Sequence, residues 1–304
     1  MTPCMMLVRH GSEYTIVRWI KATLEGCVAV VTLNEFSLKF VISRGCPQGG
    51  VLSPLLWCLV VDDLITRLSG SSVLIQGYAD DICLLVVGKF PKTVSGFKQW
   101  ALSTAGIWCN EDGLSVNPDK TGLVAFTRKR KLQGFFEPNL YGVKLRLSGS
   151  VKYLGVILDS RLTWREHVEV KVRKAHNLLW ACRSACGMGW GLRPKVVHWL
   201  YVAIIQPTIS FASLVWWPGC QMASTKSKLS KVQRLACLGI TGAFHTTPTG
   251  GMEALVSLPP LDLVIQREAR SAGHRLWSLG CWSYLYPRQG HSYIVPASGV
   301  ASHF

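Results

Sequence analysis

Acidic side chains are scarce in this sequence: 17 Asp and Glu stand against 33 Lys and Arg in 304 residues, and no Asp occurs before Asp62. The formal net charge is +16. Most of the excess is local, since residues 120–195 carry sixteen Lys or Arg and four Asp or Glu, a net of +12 in a quarter of the chain. A folded domain with so concentrated a basic field faces a polyanion, most often nucleic acid, whereas diffuse charge needs no partner beyond water. No Cys-x-x-Cys occurs among the eleven Cys, and Cys182 and Cys186, four apart, have no His pair beside them. That pattern argues against structural zinc and against a disulfide framework or a disulfide-linked partner, and for reduced thiols inside the cell, in nucleus or cytoplasm. The start, Met1-Thr2-Pro3-Cys4, has neither the charge nor the apolar core of a secretory signal. Disorder is excluded by 49% hydrophobic residues and twelve Trp. Residues 196–217 hold no Asp, Glu, Lys or Arg. Pro207 is expected to split them into two helices, each shorter than the roughly 20 residues that a membrane span needs, so a buried helical hairpin is expected and no membrane partner.

What the chain does hold is organised around Gly77-Tyr78-Ala79-Asp80-Asp81-Ile82. The flanks, Val73-Leu74-Ile75 and Ile82-Cys83-Leu84-Leu85-Val86-Val87, are rich in β-branched and apolar residues and predict two strands with the acidic pair at the turn. Neighbouring carboxylates repel, and a chain that sets them together commonly places a cation between them. Oxygen ligands on short side chains suit Mg²⁺, which keeps waters and shares substrate phosphates. Asp-Asp is also an ordinary solvated turn dipeptide, so the neighbours must decide.

Upstream, Ile16, Ile20 and Leu24 have helical spacing over residues 13–25, and residues 27–33 and 36–42 read as a hairpin about Asn34-Glu35. A Gly/Pro-rich loop, residues 43–54, then runs into an apolar helix over 55–68 that carries Asp62 and Asp63. Such loops let backbone approach a ligand and helix N-termini favour phosphate, though a plain turn has the same composition. Downstream, Gly113 ends a helix, and Lys120 follows an Asn-Pro-Asp turn, where a solvated Lys is equally ordinary. Residues 151–159 read as one apolar strand with Gly155 at a point of close approach. Residues 164–186 read as a basic helix carrying Arg165, Lys171, Arg173, Lys174 and Arg183 with interleaved aromatics; it is either a track for a phosphate backbone or a solvated face. Residues 281–304 are expected to fray.

Arg44-Gly-Cys-Pro-Gln-Gly-Gly-Val-Leu-Ser-Pro-Leu-Leu-Trp followed by Gly-Tyr-Ala-Asp-Asp resembles the reverse transcriptases of non-LTR, LINE-type retrotransposons, of the jockey-like kind. Gly113-Leu-Ser-Val-Asn-Pro-Asp-Lys-Thr and Val151-Lys-Tyr-Leu-Gly-Val-Ile-Leu-Asp are similar to that family's next two motifs. The resemblance implies an α+β fold: a partial polymerase palm, antiparallel sheet plus helices, over residues 1–159, a helical thumb over 160–193, a helical connection region over 194–280 and a tail. It implies RNA-directed DNA polymerase lineage with two-metal nucleotidyl transfer. Asp80 and Asp81 would bind the catalytic Mg²⁺, two ions in an intact parent, with Mn²⁺ as a substitute. Gln48, Gly49 and Lys120 would contact the dNTP. Tyr78, Tyr153, Leu154 and Gly155, with Arg165, Lys171, Arg173 and Lys174, would contact primer and template. The implied partners are an RNA template, a DNA primer, their hybrid and dNTP.

One element of the family pattern is missing. The resemblance calls for a third carboxylate, an Asp on a strand upstream of the Gly-Gln loop, and Glu13, Glu25 and Glu35 are the only acids before Asp62. The chain is accordingly expected to be N-terminally truncated within the palm and inactive alone. A non-catalytic, basic nucleic-acid-binding remnant is the alternative, and a membrane protein anchored by residues 196–217 a third.

Overall fold

The computed structural model describes residues 3–280 apart from 43–44, 46–48, 70–71, 130–131 and 185–190. Gln48, Arg44 and the tail from 281 therefore lie outside the described residues. Contacts divide the chain into two compact units, Met1–Gly149 and Ser150–Phe304. The α+β expectation holds in its coarse form: helices are joined by small two-stranded sheets, all antiparallel but one.

The first unit opens with α1 (Pro3–Arg9) and α2 (Tyr14–Leu24), then the hairpin β1 (Val28–Leu33) and β2 (Phe36–Val41), whose register pairs Leu33 with Phe36 around Asn34-Glu35. Helix α3 (Ser53–Leu68) leads into β3 (Val73–Tyr78) and β4 (Asp81–Val86), followed by the long α4 (Pro91–Asp112). Gly113 ends α4 at φ 66°, a left-handed conformation that glycine adopts without a Cβ penalty. Short strands close the unit: β5 (Leu123–Val124), β6 (Asn139–Leu140), β7 (Val143–Lys144) and β8 (Leu147–Ser148). The core forms where the period-2 pattern of β3 and β4 meets the helical stripes of α3 and α4. Val73 and Val86 pack with Val60, Leu64 and Leu68 on one side and Ala101, Ala105 and Trp108 on the other. Asp63 is buried in this layer, held by Arg9 Nη1 at 2.8 Å and Arg67 Nε at 2.9 Å, and Arg67 goes on to Glu111 at 2.7 Å. A buried carboxylate survives only with such partners. This one ties α1, α3 and α4 together.

The second unit begins with β9 (Ser150–Tyr153) and β10 (Val156–Asp159). Residues 151–159 are thus not one strand but a tight hairpin. Leu154 at φ 45° and Gly155 at φ 81° are both left-handed, the geometry that two-residue hairpin turns require. Asp159 then caps α5 (Arg165–Ser184): its carboxylate accepts from the Thr163 amide at 2.9 Å, the Thr163 hydroxyl at 3.0 Å and the Trp164 amide at 2.8 Å. Burial alone would raise this carboxyl, but those donors outweigh it and hold it below the usual range.

The apolar run forms α6 (Pro194–Leu200), a π-helical stretch Tyr201–Ile205, α7 (Gln206–Ser210) and α8 (Ser213–Trp216), then a 3-10 turn Trp217–Gln221. Helix α9 (Ala223–Thr241), α10 (Thr249–Leu255) and α11 (Leu261–Ser278) complete the unit. The break does not fall at Pro207. The π stretch, closed by the Gln206 amide on the Tyr201 carbonyl, absorbs the missing proline N–H, and the chain turns five residues after Pro207, where Ala212 sits at φ 55°. No single helix is long and apolar enough to cross a membrane; the pair Pro194–Ser210 and Ser213–Gln221, bent by 51°, passes on length and composition together. Its Val197, Tyr201, Ile205, Ile209, Trp216 and Trp217 lie in the core of this unit with Leu229, Val232 and Ile265.

His167 is 1% exposed in that core, and its Nδ1 accepts the Ile157 amide at 3.2 Å. Burial, with Lys171 adding to it, lowers its pKa from 6.5 to about 4. The unfolded chain binds the proton more tightly, so stability is complete above pH 6.5 and falls as the pH drops towards 4, by up to about 3 kcal/mol. Denaturant unfolding followed between pH 7.5 and 4.5 is expected to show that slope, and His167→Leu is expected to remove it.

Candidate active site and nucleic-acid interface

The acidic tip is built by α3. The turn between β3 and β4 is the two residues Ala79 and Asp80, closed by the pairing of Tyr78 with Asp81. Ala79 is held at φ 50°, and the Trp57 indole of α3 donates to its carbonyl at 2.6 Å. Gly77 is required one step earlier: a Cβ there would come within 3.0 Å of Val61 Cγ1 on α3. The hairpin therefore lies against the helix, with Gly77 and Ile82 paired on the inward face. Asp80 and Asp81 are exposed and make no ion pair among the described residues, and Tyr78 beside them is 64% exposed. The tip is open to ligand and not locked in apolar packing.

Gly49 is exposed at φ 88°, a conformation suited to glycine, three residues before the Leu52 cap of α3. Trp57 follows the first residue of α3 by about 6 Å along the helix axis. The exit of the glycine loop and the acidic tip are thus tied to the same end of α3. Lys120 is exposed at the end of a 3-10 turn, Pro118–Lys120, that the Asn117 side chain caps through the Asp119 amide at 2.9 Å. Leu114 and Val116, just before it, pack on the core beneath the hairpin.

As a divalent-cation site the tip offers two carboxylates. No group of three or more His, Cys, Asp or Glu able to hold a metal occurs among the described residues. Asp62 is shared with His10 at 3.2 Å and Asp63 is consumed by its two arginines, so neither completes the tip. Two carboxylates fit one hydrated ion that takes its remaining ligands from water and substrate phosphate. They do not make a two-ion site.

In the second unit the sequence-predicted residues lie on the β9–β10 hairpin and along α5. Gly155 approaches Phe211 so closely that a Cβ would stand 3.0 Å from the ring. Lys171 Nζ lies over the same ring, 4.5 Å from its centroid. Burial lowers the Lys171 ammonium pKa, and Lys174 and Lys152 lower it further. None of Lys152, Lys171, Arg173 and Lys174 has an acidic partner within ion-pair distance among the described residues, whereas Lys228 has Glu169 at 3.2 Å. Tyr153 is half-buried, Leu154 forms the hairpin turn, and Arg165 is exposed at the start of α5. Trp180, 58% exposed, stacks under Arg183 at 5.4 Å. Phe211 and Lys152 were not legible as site residues: Phe211 lies in an apolar run, and only the turn at 211–212 brings it to Gly155.

The reverse transcriptase (RNA-dependent DNA polymerase) family matches residues 8–158, about half the chain, and through that segment the chain belongs to it. More particularly, its relatives are proteins of non-LTR elements. It is 26% identical over 235 residues to the putative 115 kDa protein in type-1 retrotransposable element R1DM of Drosophila melanogaster, covering 77% of this chain and 23% of that protein. It is 24% identical over 246 residues to the Pol polyprotein from type-1 retrotransposable element R1 of Nasonia vitripennis, covering 76% and 71%. It is 28% identical over 272 residues to the RNA-directed DNA polymerase from mobile element jockey of Drosophila funebris, covering 85% and 28%. The chain thus spans about a quarter of the length of these Drosophila relatives. No solved structure matches it.

The close contact at Gly77 carries a direct expectation. A Cβ at Gly77 requires the Val61 methyl or the hairpin to shift, so Gly77→Ala should cost about 1–3 kcal/mol in denaturant unfolding. Val61→Ala in the same chain should recover most of that loss.

Proposed function

We propose that this chain carries the nucleotidyl-transfer half of a non-LTR reverse transcriptase palm, with Asp80 and Asp81 as the metal-binding pair and the chain's basic second unit as thumb and connection. The exposed, unpaired carboxylates held at the start of α3 support this reading most. Asp80 and Asp81 would hold a divalent ion, Mg²⁺ by the hardness of its oxygen ligands, and that ion supplies charge stabilisation at the phosphoryl group being transferred. Gln48 and Gly49 would border the incoming dNTP, and Lys120 would neutralise charge on the departing pyrophosphate. Tyr78 and the Tyr153-Leu154-Gly155 turn would meet the primer. Lys171, Arg173, Lys174 and Arg165 would follow the phosphates of template and primer, with the exposed aromatics beside them available to stack on bases. The unneutralised charge of Lys152, Lys171 and Lys174 raises the free energy of the free protein, and a polyanion relieves it. We place the protein inside the cell, in nucleus or cytoplasm. The alternative, a non-catalytic basic nucleic-acid-binding remnant, is not favoured beside the family match.

Two carboxylates leave the two-ion geometry incomplete, and misplacement of that kind costs of order 10²-fold or more in rate. The 304-residue chain is therefore expected to give no Asp80-dependent primer extension on an RNA template with Mg²⁺ or Mn²⁺; incorporation abolished by Asp80→Asn would contradict this. Binding to an RNA–DNA hybrid should fall linearly in log–log with salt, and Lys171→Gln with Lys174→Gln should flatten the slope by about 1–2. Absence of binding at low salt would remove the proposal.

A further inference from the structure

Between the first turns of α5 and α9 lies a cavity of about 260 Å³, lined by Arg165, Val168, Ser224, Thr225 and Lys228. Its chemistry is one-sided. Two cationic side chains and two hydroxyls meet there, with one apolar wall. Helix α9 opens without a side-chain cap, since Met222 stands at the N-cap. The amides of Thr225 and Lys226 both turn back to the Met222 carbonyl at 3.0 Å, which leaves those of Ala223 and Ser224 without an acceptor in the helix. Thr225 is 3% exposed, and its hydroxyl has no hydrogen-bond partner among the described residues. That hydroxyl lines the cavity, so its hydrogen bonds fall to whatever fills the space. Lys226 is directed elsewhere, to Asp262 at 3.9 Å. No carboxylate is among those lining residues; Lys228 is paired with Glu169 at 3.2 Å, and at 69% exposure that carboxylate stays hydrated and screens the ammonium only in part.

We propose that this cavity seats a phosphate of a bound nucleic-acid strand. The free helix N-terminal amides and the two hydroxyls donate hydrogen bonds to the anion's oxygens, and Arg165 and Lys228 neutralise its charge. The volume exceeds what a phosphate alone fills and leaves room for the adjoining sugar. The inference rests on the nucleic-acid reading above and extends it to α9, an element to which no role is otherwise attached. Its lining residues include none of Asp80, Asp81, Lys171 and Phe211.

The test uses the full chain, an RNA–DNA hybrid oligonucleotide and inorganic phosphate. Thr225→Val keeps the side chain's shape and removes only the unpartnered hydroxyl. It should leave the melting temperature equal or higher while weakening hybrid binding about tenfold. Lys228→Met should lower the salt slope of binding by about 1. If the unchanged chain binds hybrid with salt dependence and both variants match it, this site is refuted and the nucleic-acid reading stands. If the unchanged chain binds no hybrid at low salt, both fall. If inorganic phosphate raises the melting temperature saturably, Thr225→Val abolishes that rise and hybrid binding is unaffected, the cavity takes free phosphate and the assignment to a strand is overturned.

Discussion

The absence of a side chain at Gly77 is the constraint on which the acidic tip depends. A two-stranded ribbon has little stability of its own, and β3 and β4 form no larger sheet among the described residues. They persist because one face is laid directly on α3 and α4, close enough that a Cβ at Gly77 would stand only 3.0 Å from Val61 Cγ1. That contact leaves the opposite end of the ribbon free. Trp57 then holds the turn by its carbonyl, so that two adjacent carboxylates can stand in water without the turn relaxing.

Charge is handled in opposite ways in the two units. In the first, Asp63 is buried among Arg9 and Arg67 and spends its charge on joining helices. In the second, Lys171 sits over the Phe211 ring and is repelled by Lys174 and Lys152, with no carboxylate within ion-pair distance of the three among the described residues. The first arrangement is structural and needs no ligand. The second is left for an external anion to relieve, which is why the proposed nucleic-acid partner is argued from these lysines more than from net charge.

An exposed apolar ribbon, β1–β2, presents Val31, Leu33, Phe36, Leu38 and Phe40 on one face, each more than half exposed. Its strands have open edges on both sides. Surfaces of this kind are prone to pair with other chains. The sequence placed both strands and their turn correctly, because Asn34-Glu35 interrupts a β-branched and aromatic run, but a period-2 pattern does not say whether either face is covered.

The sequence by itself determined the local elements whose signals are short-range: the helices over 14–24 and 53–68, the hairpin tip at Ala79-Asp80, and the helix end at Gly113. It also determined the linked motifs that assign the chain to its family. Tertiary structure alone decided what those signals do not encode. Residues 151–159 became a hairpin because Leu154 accepts a left-handed conformation beside Gly155, which no propensity predicts for leucine. The turn in the apolar run moved from Pro207 to Ala212 because a π-helical register could absorb the proline. Phe211 came against Gly155, and Thr225 into a cavity with Arg165, through contacts between residues tens of positions apart. Such meetings are set by how helices pack, and packing is a property of the whole chain rather than of any stretch within it.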